Sequence, residues 1–314
     1  MTSMDLITRI NELKQEHRTI ILAHNYQLPE IQDIADFTGD SLGLSIQASR
    51  TKADTIVFCG VYFMAETAKI LSPDKTVIIP EPKAGCPMAD MITVEQLKAM
   101  KQRYPGVRVL SYVNTSAEIK AESDVCCTSA NAVEVLNNMF DEHEPVLFVP
   151  DKYLAQYAAT KTNRRVIPWQ GYCPSHARIL PEDIARLKAE HPHAKVLAHP
   201  ECNGCVLALA DEVLSTSGML RYARDSRAKE FIIATEIGLL YPLQKENPDK
   251  YFYPASCLAL CRNMKKITLQ KLYRALQSMS PEVTLPGHII RRAQKSLAAM
   301  VDQQNCLHAA FNES

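Results

Sequence analysis

Three cysteines, Cys86, Cys173 and Cys261, stand 87 and 88 residues apart in this chain of 314 residues. Other chemically capable residues keep the same interval. His24, Tyr112 and His199 are separated by 88 and 87 residues, and so are Ser41, Ser129 and Thr216. Recurrence in phase predicts three copies of one unit, each contributing a thiol, a hydroxyl and a proton carrier to a shared centre. Soft thiolates select iron–sulfur clusters, zinc or copper(I). Three of them leave one metal position open for a substrate. A single cysteine is commonly a small buried hydrophobe, but a register of three, two of them in the pairs Cys86-Pro87 and Cys173-Pro174, speaks for ligation.

The other cysteines carry weaker signals. Cys202-x-x-Cys205 has no second pair and so does not read as a zinc ribbon. Cys126-Cys127 lies in an apolar stretch and reads as packing. Cys257 stands 84 residues after Cys173 and competes with Cys261 for the third ligand place, where the repeat favours Cys261. A radical-SAM reading of Cys257-x-x-x-Cys261 fails because Met264 occupies the third cysteine place.

Each hydroxyl precedes or opens a helical stretch: Asp40-Ser41-Leu42, Thr128-Ser129-Ala130 and Ser215-Thr216-Ser217. A hydroxyl beside free N–H groups is an anion site, or else a plain N-cap. The strand-end residues His24, Asn25, Tyr26, Tyr112, Asn114, His199 and Glu201 include the side chains that usually carry protons. His176 follows Cys173 by three places and reads either as a partner of the metal ligands or as an exposed loop residue.

These residues need elements to hold them. Unit one predicts helices over 6–16 and 62–71 and strands over 19–23, 55–59 and 76–79, with Cys86 in the loop that follows. Unit two predicts a helix over 94–103 and strands over 107–112, 145–149 and 165–167. Unit three predicts a helix over 181–190, which starts suitably on Pro181, and strands over 195–198, 230–234 and 251–253. Alternating strands and helices imply α/β units with parallel sheets, and sites in such sheets form beyond the carboxyl ends of the strands. The expected divisions are 1–90, 91–177, 178–267 and a remainder, 268–314, of two C-terminal helices packing on the assembly.

Composition narrows the class. Lysine plus arginine equal aspartate plus glutamate at 35 each, so there is no electrostatic footprint for nucleic acid or an anionic membrane. The polar opening segment lacks the apolar centre of a signal peptide, and no run is long enough to span a bilayer. A cytoplasmic protein is expected, in which ten cysteines suggest metal or catalysis rather than disulfides. With only 10 glycines there is no glycine-rich phosphate loop.

The segments His24-Asn-Tyr-Gln, Tyr112-Val-Asn114, Cys126-Cys-Thr-Ser-Ala-Asn131, Gly171-Tyr-Cys-Pro174, His199-Pro-Glu-Cys202, Ser215-Thr-Ser217 and Cys261-Arg-Asn-Met-Lys265 together resemble the quinolinate synthases. The likeness runs in the family's order from His24 to Lys265. It implies three homologous αβα domains around a pseudo-threefold axis. It also implies a [4Fe–4S] cluster on Cys86, Cys173 and Cys261 with one open iron, acting as a Lewis acid. The implied reaction joins iminoaspartate and dihydroxyacetone phosphate into quinolinate, with release of phosphate and two waters, in NAD biosynthesis. An L-aspartate oxidase or dehydrogenase would supply iminoaspartate. By motif, Tyr26, His199 and Glu201 are the catalytic residues. His24, Ser41, Tyr112, Asn114, Ser129, Ser215 and Thr216 bind substrate. The same donors would also suit an iron–sulfur hydro-lyase of the aconitase kind or a structural zinc site, which product analysis and colour respectively would separate.

Overall fold

The computed structural model describes the backbone of residues 3–312 and the side chains of residues 4–301. Its strands form three four-stranded parallel sheets. In the first unit these are β1 (Thr19–His24), β2 (Phe37–Gly39), β3 (Thr55–Cys59) and β4 (Thr76–Ile78), in the order β2-β1-β3-β4. The second unit has β5 (Arg108–Tyr112), β6 (Val125–Cys127), β7 (Val146–Val149) and β8 (Val166–Pro168), in the order β6-β5-β7-β8. The third has β9 (Lys195–Ala198), β10 (Glu212–Val213), β11 (Glu230–Ala234) and β12 (Tyr251–Pro254), in the order β10-β9-β11-β12. One strand order thus occurs three times, as the repeat requires.

Every strand expected from the sequence is present, with ends shifted by no more than a residue. The sequence reading lacks β2, β6 and β10. These edge strands are two or three residues long, too short to show a hydrophobic period. They matter for the site. Pairing sets His24 opposite Gly39 and Tyr112 opposite Cys127. Two residues beyond those partners come Ser41 and Ser129, so the edge strand carries each hydroxyl to the mouth of its sheet.

Alternation along the central strands sorts side chains between two layers. Leu22, Phe58, Phe148, Phe231 and Ile233 enter one core shared by all three units. Ile21, Ala23, Val57 and Cys59 face an outer layer of the first unit, Leu147 and Val149 one of the second, and Ile232 and Ala234 one of the third. β3 and β7 are buried along their whole length, as expected of parallel strands covered on both faces.

The end of the chain returns to the first unit. The helix Leu269–Ser278 lies in the same outer layer as the helix Ser3–Glu16, through Leu272 and Leu276 packed with Leu6 and Ile10. Val283 N then donates to Val77 O at 2.8 Å, and an antiparallel bridge joins Ile78 to Glu282. The last helix, Gly287–Asn312, ties the first two units together: Gln294 Nε2 donates to Ile70 O at 3.0 Å and Ser296 Oγ to Lys120 O at 2.8 Å. Cys306 lies outside the described side chains. No helix among the described residues is long and apolar enough to cross a membrane.

Candidate active site and metal centre

Each cysteine loop is built the same way. After the third strand of its unit the chain turns, and the amide of the first residue of the next helix holds the carbonyl two places before the cysteine. The bonds are Tyr62 N to Ala84 O at 2.8 Å, Lys152 N to Gly171 O at 2.9 Å and Ile237 N to Ala259 O at 3.0 Å. Each cysteine then opens a short 3-10 turn: Ala89–Met91, His176–Arg178 or Met264–Lys266. The turn aims the amide of Ala89, His176 or Met264 at the sulfur, which favours thiolate.

Cys86, Cys173 and Cys261 are free thiols lining a single cavity. Burial works against the turn amides and raises all three thiols, Cys86 to about 12, Cys173 well above the usual value and Cys261 in the same direction. Cys86 and Cys261 are also close enough to raise Cys173. Such mutually opposed buried thiols suit a metal centre, which takes them as thiolates. Among the described residues no fourth cysteine lines the cavity, so the donor set fits a centre with one open position. Cys257 and Cys205 are exposed and lie outside the cavity, while Cys59, Cys126, Cys127 and Cys202 are buried elsewhere.

The proton carriers form a connected chain. Tyr26 OH lies 2.5 Å from Thr235 Oγ1, which lies 2.8 Å from His176 Nε2. His176 Nδ1 faces Glu201 Oε2 at 2.8 Å and Cys173 Sγ at 3.1 Å. Tyr112 OH donates to Glu201 Oε1 at 2.6 Å, and Asn114 Nδ2 lies 3.4 Å from the same oxygen. Burial would raise Glu201, but the adjoining His176 and the Tyr112 hydroxyl outweigh it and hold the group below the carboxylate range. Glu201 is therefore a carboxylate. Tyr26 and Tyr112 are pushed well above the usual phenol value by burial and by the charge of Glu201, so both remain protonated donors.

His24 and His199 repeat one arrangement in different units. Nδ1 of each accepts the backbone N–H two residues on, from Tyr26 at 3.1 Å and from Glu201 at 3.3 Å. Burial lowers them to about 4 and about 3. Each is thus a neutral imidazole carrying its proton on Nε2, and that of His199 points to Ser129 Oγ at 3.2 Å.

The three repeat-related thiols, the strand-end residues other than Asn25, and Ser41, Ser129 and Thr216 all line this cavity, whereas Ser215 and Asn25 do not. Ser41 and Thr216 are first helical residues whose caps are their predecessors. Asp40 Oδ1 accepts from Gly43 N at 2.9 Å and Ser215 Oγ from Gly218 N at 3.2 Å. The Ser41 hydroxyl is thereby left to the cavity, and that of Thr216 accepts from Asn25 Nδ2 at 3.0 Å, whereas Ser215 caps its helix and donates to Asp40 Oδ2 at 3.0 Å. Ser129 stands in a turn ahead of the helix Ala132–Met139 rather than opening it. His176 is buried at the centre of the network instead of lying on an exposed loop. Sequence reading misses Asp40, Thr235 and Glu236. Thr235 occupies the place of Gly60 and Pro150 in the other units, so no repeat betrays it.

Residues 8–302 match the family described as "Quinolinate synthetase A protein". A quinolinate synthase of Dehalococcoides mccartyi (strain CBDB1) is 56% identical over 293 residues, which is 93% of this chain and 96% of that protein. Quinolinate synthase 1 of Methanosarcina acetivorans is 54% identical over 301 residues, covering 96% of this chain and 98% of that protein. A quinolinate synthase of Geobacter metallireducens is 54% identical over 292 residues, covering 93% and 95%. With the family match spanning nearly the whole chain and the three-unit fold meeting at one thiol-lined cavity, this chain belongs to the quinolinate synthase family.

Proposed function

We propose that the protein condenses iminoaspartate with dihydroxyacetone phosphate to quinolinate, phosphate and two waters, using a [4Fe–4S] cluster held by Cys86, Cys173 and Cys261. The observation that carries this reading is the meeting of three repeat-related thiols with a chain of proton carriers in one cavity. When bound, the cluster supplies a Lewis acid at its open iron, which assists loss of hydroxide from carbon.

The remaining chemistry falls to side chains. The substrates bring two carboxylates and a phosphate. Ser41, Ser129, Thr216 and Asn114 offer hydrogen bonds to them, and His24 and His199 offer neutral N–H donors. Tyr26, protonated and buried, is placed to give a proton to a departing or carbonyl oxygen. Behind it, Thr235 and His176 form a path to Glu201. A proton taken from substrate carbon can rest on His176 as imidazolium beside the Glu201 carboxylate and return along the same path. Tyr112 fixes the other oxygen of Glu201. Iminoaspartate would come from an L-aspartate oxidase or dehydrogenase, and the setting would be a cytoplasmic step of NAD biosynthesis. We place the unit boundaries near residues 90 and 178.

A second reading has one observation behind it. Single ligand atoms of Cys173, His176 and Glu201 lie within 4.8 Å of one another and could hold a lone divalent ion. Yet His176 and Glu201 already meet the protein groups described above, and an ion would have to displace those contacts. The deciding experiment prepares the protein without oxygen and measures iron, acid-labile sulfide, zinc and quinolinate formed from dihydroxyacetone phosphate and freshly generated iminoaspartate. A brown protein with iron and sulfide that forms quinolinate is expected. A colourless zinc protein, or an iron–sulfur protein that forms no quinolinate, overturns the proposal.

A further inference from the structure

Glu236 follows β11 by two residues, the place taken by Asp151 after β7 and by Val61 after β3. Each of the three caps the helical turn that comes next. Val61 does so without a side-chain bond, whereas Asp151 Oδ1 accepts from Leu154 N at 2.7 Å and Glu236 Oε2 from Gly238 N at 2.7 Å. Glu236 goes further. It is fully buried, and its Oε1 accepts the backbone N–H of Cys261 at 3.0 Å. Its counter-ion is Lys265, whose Nζ lies 3.1 Å from Oε1 and also donates to the carbonyl of Tyr26.

Two loops from different units are therefore held by one ion pair. A second contact joins the same loops: Gln27 Nε2 lies 3.4 Å from Met264 Sδ. The packing leaves no slack. A Cβ at Gly238 would come 2.5 Å from Lys265 Nζ, 2.7 Å from Glu236 Oε2 and 2.9 Å from the backbone carbonyl of Tyr26, so a side chain there would have to displace the pair.

We propose that Glu236 and Lys265 are positioning residues, an ion pair of a buried carboxylate and a part-buried ammonium that fixes the Cys261 loop of the third unit against the Tyr26 loop of the first. The pair makes the placement of the third thiol and of the proton-donating tyrosine a single event. The Cys86 loop has no counterpart, because Val61 stands in the equivalent place. This inference rests on the reading of Cys261 as a cluster ligand and of Tyr26 as a proton donor.

The test uses the anaerobically prepared holoenzyme with Glu236→Gln, Lys265→Met, the double variant and Cys261→Ala. Iron remaining after timed exposure to air is measured beside the initial rate of quinolinate formation. Gln can still accept the Cys261 amide, but Lys265→Met leaves the buried Glu236 carboxylate without its partner and Glu236→Gln leaves the part-buried Lys265 ammonium without one. Each single variant is expected to lose iron about 10–100-fold faster and to turn over more slowly by a similar factor, the usual effect of removing a partner behind a metal ligand. In the double variant no charge is left unpaired, so the iron lifetime should return to within a few-fold of the parent. Turnover should stay low, because the Tyr26 carbonyl has lost its donor. A general folding defect would not restore one property without the other. If Glu236→Gln fails to accumulate, Lys265→Met and the neutral double variant decide. Single variants matching the parent in both measurements, or a double variant as damaged as the two effects multiplied, overturn the proposal. Cys261→Ala that keeps its iron removes instead the underlying ligand assignment. Iron-free Cys261→Ala beside parent-like Glu236→Gln and Lys265→Met rejects the role of the ion pair alone.

Discussion

Glu201→Gln and Tyr26→Phe test the proposed proton transfer apart from the proposed cluster assembly. Glu201 touches the cavity through Oε2, facing His176 Nδ1 at 2.8 Å, and through Oε1, which accepts from Tyr112 at 2.6 Å. Gln keeps the acceptor for Tyr112 but turns an amide toward His176, so one charge-assisted bond is lost. Such a bond contributes about 1.5–3 kcal/mol, which bounds the destabilisation. Phe at Tyr26 removes the 2.5 Å contact with Thr235, yet Thr235 keeps His176 at 2.8 Å, so the loss should be nearer about 1 kcal/mol. Neither change touches a thiol. Both proteins should fold, stay brown and carry the parent's iron. Turnover is another matter, since a positioned acid or base contributes about 10²–10⁴-fold. Quinolinate should form at least about 100-fold more slowly in each. The assay measures anaerobic quinolinate formation with iron counts on the same samples. Near-normal rates in both would move the acid–base work to His199 or to water. Loss of iron in either would make that residue a support of the cluster and refute its catalytic role.

Further outcomes follow from the same geometry. Alanine at Cys86, Cys173 or Cys261 should abolish iron binding, whereas alanine at Cys59, Cys127, Cys202 or the exposed Cys257 should leave it; iron surviving in Cys261→Ala and lost in Cys257→Ala would reverse the third ligand. Thr235→Val breaks the bridge between Tyr26 and His176, leaving them 3.5 Å apart. Iron should be kept and turnover should fall at least about tenfold, as for other partners that orient functional groups. Burial lowers His24 to about 4 and His199 to about 3, so the unfolded chain takes up their protons first as the pH falls below about 6.5. Stability should therefore drop on acidification from about pH 6.5 to about 4, by up to about 1.4 kcal/mol per pH unit for each histidine. Urea midpoints at several pH values, compared with those of His24→Asn, check this, and a parent with no acid slope in that window contradicts it.

What the sequence discloses is what the three units share. The thiols at Cys86, Cys173 and Cys261, the strand-end groups and the hydroxyls recur at one interval, and the central strands announce themselves by dense β-branched runs. Those features yield the sheets, the convergence of their mouths and most of the polar lining of the cavity, but not its apolar wall of Val61, Phe63, Met64, Met88 and Met264. The features that stay hidden are short or unshared. β10 has two residues and only one pairing neighbour, so its formation depends on β9 rather than on its own pattern. Thr235 has Gly60 and Pro150 as its counterparts, and its hydroxyl gains meaning only when Tyr26 and His176 arrive from other units. The helix cap is equally ambiguous in sequence. Asp40-Ser41 and Ser215-Thr216 each offer two capping side chains in a row, and the helix starts decide that Asp40 and Ser215 cap while their neighbours face the cavity.

The division between shared and unshared positions has a chemical reason. A metal centre with three equivalent donors calls for three equivalent loops, and the same amide-to-carbonyl bond recurs at 2.8, 2.9 and 3.0 Å behind each cysteine. The reaction proposed above, which joins two different molecules and removes protons and oxygens at particular atoms, calls for the opposite. One place in the unit is therefore His24, Tyr112 and His199; another is Gly60, Pro150 and Thr235; a third is Val61, Asp151 and Glu236. Because Tyr26, His176 and Glu201 come from separate units, the proposed proton path requires all three to be in register. Small shifts between units would then cost turnover before they cost the fold, since each sheet keeps its own outer layer while the path crosses every seam.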